Sequence, residues 1–261
     1  MTAIKPNIHV VAPTATHTHT IIFLHGRGST ATEFESEFFE SQASDDRFFT
    51  QIFPGIKWVF PCAAMRHAEV DNEEMCQWFD MASVQRPNER MELQEQGLQE
   101  SVEFLLRVLK DESAEVPMDR IFLGGISQGC ATAIHALLQN GARLGGFIGL
   151  CSWLPFEDAI QEIVQKTSSP TQRINSIRQL LSLDHDTEDP IVLQTPVFLS
   201  HSEDDGVVPV ANGKALCDGL KALGMTVEMS CYPDGGHWVN EPKGVDGIVA
   251  FIESVMERSG F

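Results

Sequence analysis

Residues 120–138 read Arg120-Ile121-Phe122-Leu123-Gly124-Gly125-Ile126-Ser127-Gln128-Gly129-Cys130-Ala131-Thr132-Ala133-Ile134-His135-Ala136-Leu137-Leu138, and this stretch decides the fold. A short apolar run of strand character comes first, then Gly-Ile-Ser-Gln-Gly, then a second run with the composition of a buried helix. A strand, a sharp turn with serine at its apex and a helix form the setting in which G-x-S-x-G is a nucleophile elbow. Glycines suit both flanks of the serine, because strand and helix backbones approach closely there and a Cβ would collide.

Upstream, residues 16–24 alternate and then become fully apolar, which predicts a strand entering a sheet interior. It ends in His25-Gly26-Arg27-Gly28-Ser29, a glycine-rich turn that leads to an acidic helix around residues 32–41. His17 and His19 share a face of that strand and read as solvated side chains, with no third ligand nearby to make a metal site. Residues 8–11 suit an edge strand and residues 57–60 a further strand. Residues 62–88 read as irregular, with Trp78-Phe79-Asp80 in a loop. Residues 89–111 form an amphipathic helix, with Leu98, Val102, Leu105, Leu106 and Leu109 at helical spacing.

Downstream, Asn140-Gly141 is a predicted helix C-cap, and residues 144–151 are a central strand. Residues 156–194 turn helical and polar, broken at Ser169-Pro170 and Asp189-Pro190. About 40 residues without a strand predict a cap or lid inserted between two sheet strands. Strands at 196–200 and 226–232 alternate with helices at 210–223 and 245–257. The alternation implies one α/β domain over residues 1–261 with a mainly parallel, doubly wound sheet.

Composition sets the class of protein. The chain has 261 residues, 43% hydrophobic and 21% charged, enough for a sizeable core. A formal net charge of −19 argues against a nucleic-acid backbone as partner and favours solubility. The opening residues lack the pattern of a secretory signal, and no apolar run reaches the length of a membrane span. The six cysteines at 62, 76, 130, 151, 217 and 231 show no C-x-x-C spacing. They read as reduced core thiols of a cytoplasmic protein rather than disulfides or zinc ligands. Oligomeric state is left open.

A serine hydroxyl becomes a useful nucleophile only when a base takes its proton and a carboxylate fixes the tautomer of that base. In sheets of this kind the three arrive as serine, acid and histidine, each after a strand. His237, in Pro233-Asp234-Gly235-Gly236-His237, is the only histidine beyond the acidic loop at Glu203-Asp204-Asp205. One of those three acids can meet an imidazole from a tight turn. Asp205 is favoured over Asp204 because Gly206-Val207-Val208-Pro209 follows it. Donors for a developing oxyanion are expected from the backbone N–H of Gln128, after the serine, and of Arg27 in the early turn. The Arg27 side chain could meet an anionic group of the substrate, but is rather expected to be exposed or paired with a local acid.

His25-Gly26-Arg27-Gly28, Trp78-Phe79-Asp80, Gly125 to Gly129, Ser152-Trp153-Leu154-Pro155, Asp205 to Pro209 and Pro233 to His237 occur in an order shared with one family. Over most of residues 16–258 the chain resembles the acyl-protein thioesterase/lysophospholipase group of carboxylesterases. The resemblance implies an α/β-hydrolase fold with Ser127, Asp205 and His237 as triad and Arg27 and Gln128 as oxyanion donors. It also implies cleavage of thioesters or oxygen esters of acylated proteins, lipids or small esters, with no cofactor and no metal. Trp153, Leu154, Trp78 and Phe79 are candidates to line the acyl channel, and serve equally well as core residues. The chain departs from the family pattern at Ser29, at His201-Ser202 and in the length of 156–194. A serine peptidase of the same fold and a non-catalytic binding protein are the alternative readings.

Overall fold

The predicted strands pair into a seven-stranded sheet, and the computed structural model describes residues 7–181 and 188–258. In chain order the strands are β1 (Ile8–Val11), β2 (His19–Leu24), β3 (Ile56–Pro61), β4 (Met65–Ala68) and β5 (Glu73–Cys76). They continue as β6 (Ile121–Ile126), β7 (Gly146–Leu150), β8 (Val197–Ser202) and β9 (Val227–Tyr232). The helices are α1 (Ala31–Phe38), α2 (Phe49–Ile52), α3 (Glu95–Glu112), α4 (Gln128–Gln139), α5 (Glu157–Lys166), α6 (Pro170–Leu180), α7 (Val210–Leu223) and α8 (Lys243–Arg258).

The sheet order is β1-β3-β2-β6-β7-β8-β9. All neighbours are parallel except the edge pair β1–β3, so the expected mainly parallel sheet is observed. β2, β6, β7 and β8 are buried at every residue. That is the signature of strands covered on both faces, and it explains why they read as continuous apolar runs rather than alternating ones. One face carries α1, α2 and α8 over an aromatic layer that includes Phe23, Phe34, Phe38, Phe49 and Phe60. Fully burying each such ring contributes roughly 1.5–3 kcal/mol. The other face carries α3 to α7.

Two expectations change. Residues 62–88 are not wholly irregular: β4 and β5 form an antiparallel hairpin, with Met65 opposite Cys76 and Ala68 opposite Glu73. Its strands are four residues each and half exposed, and no regular alternation marks them. The long helix starts at Glu95 rather than Glu89, after a 3-10 turn at Met91–Leu93.

The segment 156–194 holds α5, α6 and a 3-10 turn at Ile191–Gln194, and residues 182–187 within it lie outside the described residues. α5 packs on α6 and α7, and α6 packs on α4. Arg178 of α6 donates to Asn140 O at 2.8 Å and Leu138 O at 3.3 Å, at the C-terminal end of α4. Ser127 lies at the opposite end of that helix. Among the described residues, no helix is long and apolar enough to cross a membrane.

Candidate active site

The loops that leave the carboxyl ends of β2, β6, β8 and β9 meet at one edge of the sheet, where open α/β sheets place their sites. Ser127 stands between β6 and α4 with φ 56° and ψ −127°, a strained conformation for a residue with a Cβ. Ser127 N–H donates to Leu150 O at 2.9 Å, and the Ser152 hydroxyl donates to Ser127 O at 2.7 Å. These bonds from the β7 side hold the turn in its strained shape. A Cβ on Gly129 would sit 2.4 Å from His25 O, which no side-chain rotation can relieve. The elbow and the His25–Ser29 turn are therefore packed backbone on backbone. A Cβ on Gly26 would lie 3.6 Å from Ser127 Cβ, so that turn faces the serine.

His237 follows β9 and donates from Nδ1 to Asp205 Oδ2 at 2.8 Å. This contact fixes the ring with Nε2 free of the carboxylate. The Asp205 side chain is fully buried. Its Oδ1 accepts the N–H groups of Val207 at 2.8 Å and Val208 at 2.9 Å. Oδ2 also lies 3.1 Å from His201 Nε2. Burial opposes the charge, but the hydrogen bonds from His201, His237 and Val208 outweigh it and hold the carboxyl well below the usual carboxylate range. Asp204 has a different job: its Oδ1 accepts Gly236 N–H at 2.8 Å and ties down the loop carrying His237.

Ser127, His237, Arg27, Gly26, Gly28 and Ser29 line one cavity of about 360 Å³. Its apolar walls are Phe34, Met75, Val84, Ile126, Val207 and Trp238. Gln128 opens α4, where the first backbone N–H groups have no intrahelical acceptor. The Arg27 side chain turns aside to Gln77 Oε1 at 2.8 Å and Asp71 Oδ2 at 2.5 Å, the pairing with a local acid that the sequence suggested.

The four candidates for an acyl channel lie elsewhere. Trp78 and Phe79 are 0% exposed, Trp153 and Leu154 1%, and none lines the cavity at Ser127. They are core: Phe79 and Trp153 meet edge to face at 6.4 Å, and Trp78 Nε1 donates to His25 O at 2.9 Å. Among the described residues, none of 156–194 lines that cavity.

Two features escaped the sequence reading. Gln128 clamps the Trp78 loop with its side chain, accepting Trp78 N–H at 2.9 Å and donating to Phe79 O at 2.8 Å. His201 is the second imidazole on Asp205. Its sequence signal was only a histidine in a buried strand before an acidic loop. Two groups among the described residues bring three metal-type donors within 4.8 Å: His25, Cys62 and Cys76, and Cys151, Asp205 and His237. In the second, the carboxylate and imidazole already satisfy each other.

The profile of the phospholipase/carboxylesterase family matches residues 5–192 and 166–256. An acyl-protein thioesterase 1 of Gibberella zeae is 30% identical over 249 residues, covering 93% of both chains. An acyl-protein thioesterase 1 of Schizosaccharomyces pombe is 34% identical over 197 residues, covering 74% of this chain and 77% of that one. The crystal structure of Zea mays acyl-protein thioesterase 2 superposes with a TM-score of 0.70 at 24% identity, over 96% of this chain and 99% of that one, a likeness of fold.

Proposed function

The chain belongs to the phospholipase/carboxylesterase family, and on that premise we propose that it hydrolyses carboxylic esters or thioesters through a Ser127–His237–Asp205 triad. The observation that carries the reading is the 2.8 Å contact between His237 Nδ1 and a fully buried Asp205, on the cavity that Ser127 also lines. In the first step His237 Nε2 takes the Ser127 proton while Oγ attacks the carbonyl carbon. Asp205 keeps the Nδ1 proton in place and stabilises the imidazolium. The N–H groups of Arg27 and Gln128 receive the oxyanion, the second with the favourable dipole of α4 behind it. Collapse expels the thiol or alcohol, protonated by His237, and leaves an acyl-Ser127 ester. Water, activated by the same imidazole, then releases the acid. No step asks for a cofactor.

Phe34, Met75, Val84, Val207 and Trp238 form the surface on which the acyl group lies, which favours apolar acyl chains. The relatives point to acylated proteins as substrates, and lipid or small esters fit the same chemistry. The reduced cysteines fit action in the cytoplasm. Hydrolysis of p-nitrophenyl esters of graded chain length by wild type and Ser127→Ala tests the reading. We expect the variant to lose at least about 10³-fold in kcat. A fluorophosphonate probe should label wild type alone, which separates an activated serine from a non-catalytic scaffold. Equal rates from the two proteins would sink the assignment.

A further inference from the structure

Cys62, Cys76 and His25 form a cluster that the hydrolytic chemistry leaves unused. Cys62 directly follows β3 and Cys76 ends β5, and their Sγ atoms lie 3.9 Å apart. His25 Nε2 is 4.0 Å from Cys76 Sγ. As a metal site the cluster has a defect. His25 donates from Nδ1 to Gly26 O at 2.7 Å, so Nε2 is an acceptor, and it already receives Ala63 N–H at 3.0 Å. A metal ion would strip that buried donor of its partner. Bond formation between the two sulfurs leaves the Ala63 N–H bond in place and removes only the weak donation from Cys76 Sγ to Ala63 O at 3.4 Å.

Access and reactivity differ between the thiols. Cys76 is buried, whereas Cys62 is half-buried and lines a cavity of about 350 Å³ together with Arg66, Trp78, Ser101 and Phe104. That cavity lies beside α3 and is separate from the one at Ser127. Cys76 Sγ donates to Ala63 O at 3.4 Å and lies against the Cys62 sulfur, a contact that lowers the Cys62 pKa below the ordinary thiol range and raises that of Cys76. A half-buried, acidified thiol in contact with a buried second thiol is the arrangement of a peroxide-reactive cysteine with its resolving partner.

We propose that Cys62 and Cys76 form a peroxide-responsive dithiol whose closure to a disulfide shifts the turn at Gly28 and lowers turnover. In the first step the Cys62 thiolate attacks a peroxide oxygen, an S–O bond forms, the O–O bond breaks and hydroxide leaves. In the second, Cys76 sulfur attacks the Cys62 sulfenic acid, the S–S bond forms, the S–O bond breaks, and the Cys76 proton departs in water. The pair is oxidised by two electrons and one hydroperoxide is reduced. Closing from 3.9 Å to a bond of about 2.05 Å demands close to 2 Å of approach. The backbone at Cys76 is tied to the active site, since Cys76 O accepts Gly28 N–H at 2.8 Å. Its neighbours reach the same place: Met75 lines the Ser127 cavity, and Gln77 Oε1 holds the Arg27 guanidinium. Movement of β5 therefore pulls on the turn that presents the Arg27 N–H. The effect on turnover rests on the hydrolase reading above, but the bond itself does not.

To test this, reduced full-length protein is treated with hydrogen peroxide, remaining thiols are alkylated, and peptides are mapped by mass spectrometry. Turnover of p-nitrophenyl butyrate is followed in parallel. The expected result is a Cys62–Cys76 linked peptide and a fall in turnover of about tenfold, a partial loss of one oxyanion donor. Dithiothreitol reverses both. Cys62→Ser and Cys76→Ser form no such link, and Cys62→Ser keeps its turnover under peroxide. Cys62 driven to sulfinic acid with Cys76 still free overturns the proposal. So does a 62–76 link formed with turnover unchanged. Absent hydrolysis in untreated protein counts against the hydrolase reading instead, because the link is read without it.

Discussion

Four N–H groups approach the Asp205 carboxylate, from Val207, Val208, His237 and His201, the last shared with Val208 O at 2.8 Å. Such a group is more acidic folded than unfolded, and the sign of the linkage follows. Its contribution to stability is present above the unfolded carboxylate value of about 3.9 and is lost as pH falls through the lower folded value. The urea midpoint of wild type should therefore drop as pH is lowered below about 5. In Asp205→Asn the part of that slope belonging to this residue should be missing. The same variant should lose about 10⁴-fold in kcat, because an amide no longer holds the Nδ1 proton of His237. An unchanged midpoint–pH slope in Asp205→Asn would show that the four donors do not stabilise the charge. The sequence placed Asp205 ahead of Asp204 by its turn, and the geometry gives a reason: Asp204 is spent on Gly236 N–H. His201 was not legible as a partner, since only the fold brings a side chain of β8 to within 3.1 Å of an acid four residues on.

At the scale of elements, the elbow was readable because its constraint is local. Gly125 and Gly129 report a close approach of β6, α4 and the β2 strand end, and the structure supplies the atoms. A Cβ on Gly129 meets His25 O at 2.4 Å and Leu24 O at 2.6 Å. Gly129→Ala must push α4 away from the turn that faces Ser127. We expect a loss of about 1–3 kcal/mol in urea unfolding, as for other overpacked sites. A larger relative loss in kcat than in stability should accompany it, because reacting groups misplaced by about 1 Å cost up to 10²-fold. Gly206→Ala is the control: nothing lies within 4 Å of its added Cβ, and its stability should be equal to wild type or slightly higher. The β4–β5 hairpin was not readable, because its strands are only four residues each, half exposed, and carry no regular alternation. The same holds for Trp78 and Phe79. Two large aromatics beside a serine motif suggest a substrate channel, but Gln128 and His25 O bind their backbone and indole from inside the core.

For the whole molecule, the question is what residues 156–194 do. Their length predicted a lid, and their helicity was legible, but the direction in which helices pack is not written in a polar sequence. α6 grips the C-terminal end of α4, and twelve helical residues at about 1.5 Å each put that end roughly 18 Å from Ser127. Arg178 is 3% exposed, and its guanidinium satisfies the last carbonyls of α4, where a cation also meets the favourable end of the helix dipole. Gln139 returns the contact by donating to Arg178 O at 3.3 Å. The segment therefore reads as a buttress that sets the far end of the elbow helix. Arg178→Met keeps the bulk but leaves buried carbonyls without donors, and should cost about 2–4 kcal/mol in urea unfolding. Below the unfolding transition, kcat/KM for a p-nitrophenyl ester should stay within about twofold of wild type, as mutations remote from the reacting atoms remove no transition-state contact. A tenfold fall in kcat/KM with the circular dichroism spectrum intact would mean that the buttress and the serine are coupled through α4, and the lid expectation would return in an indirect form.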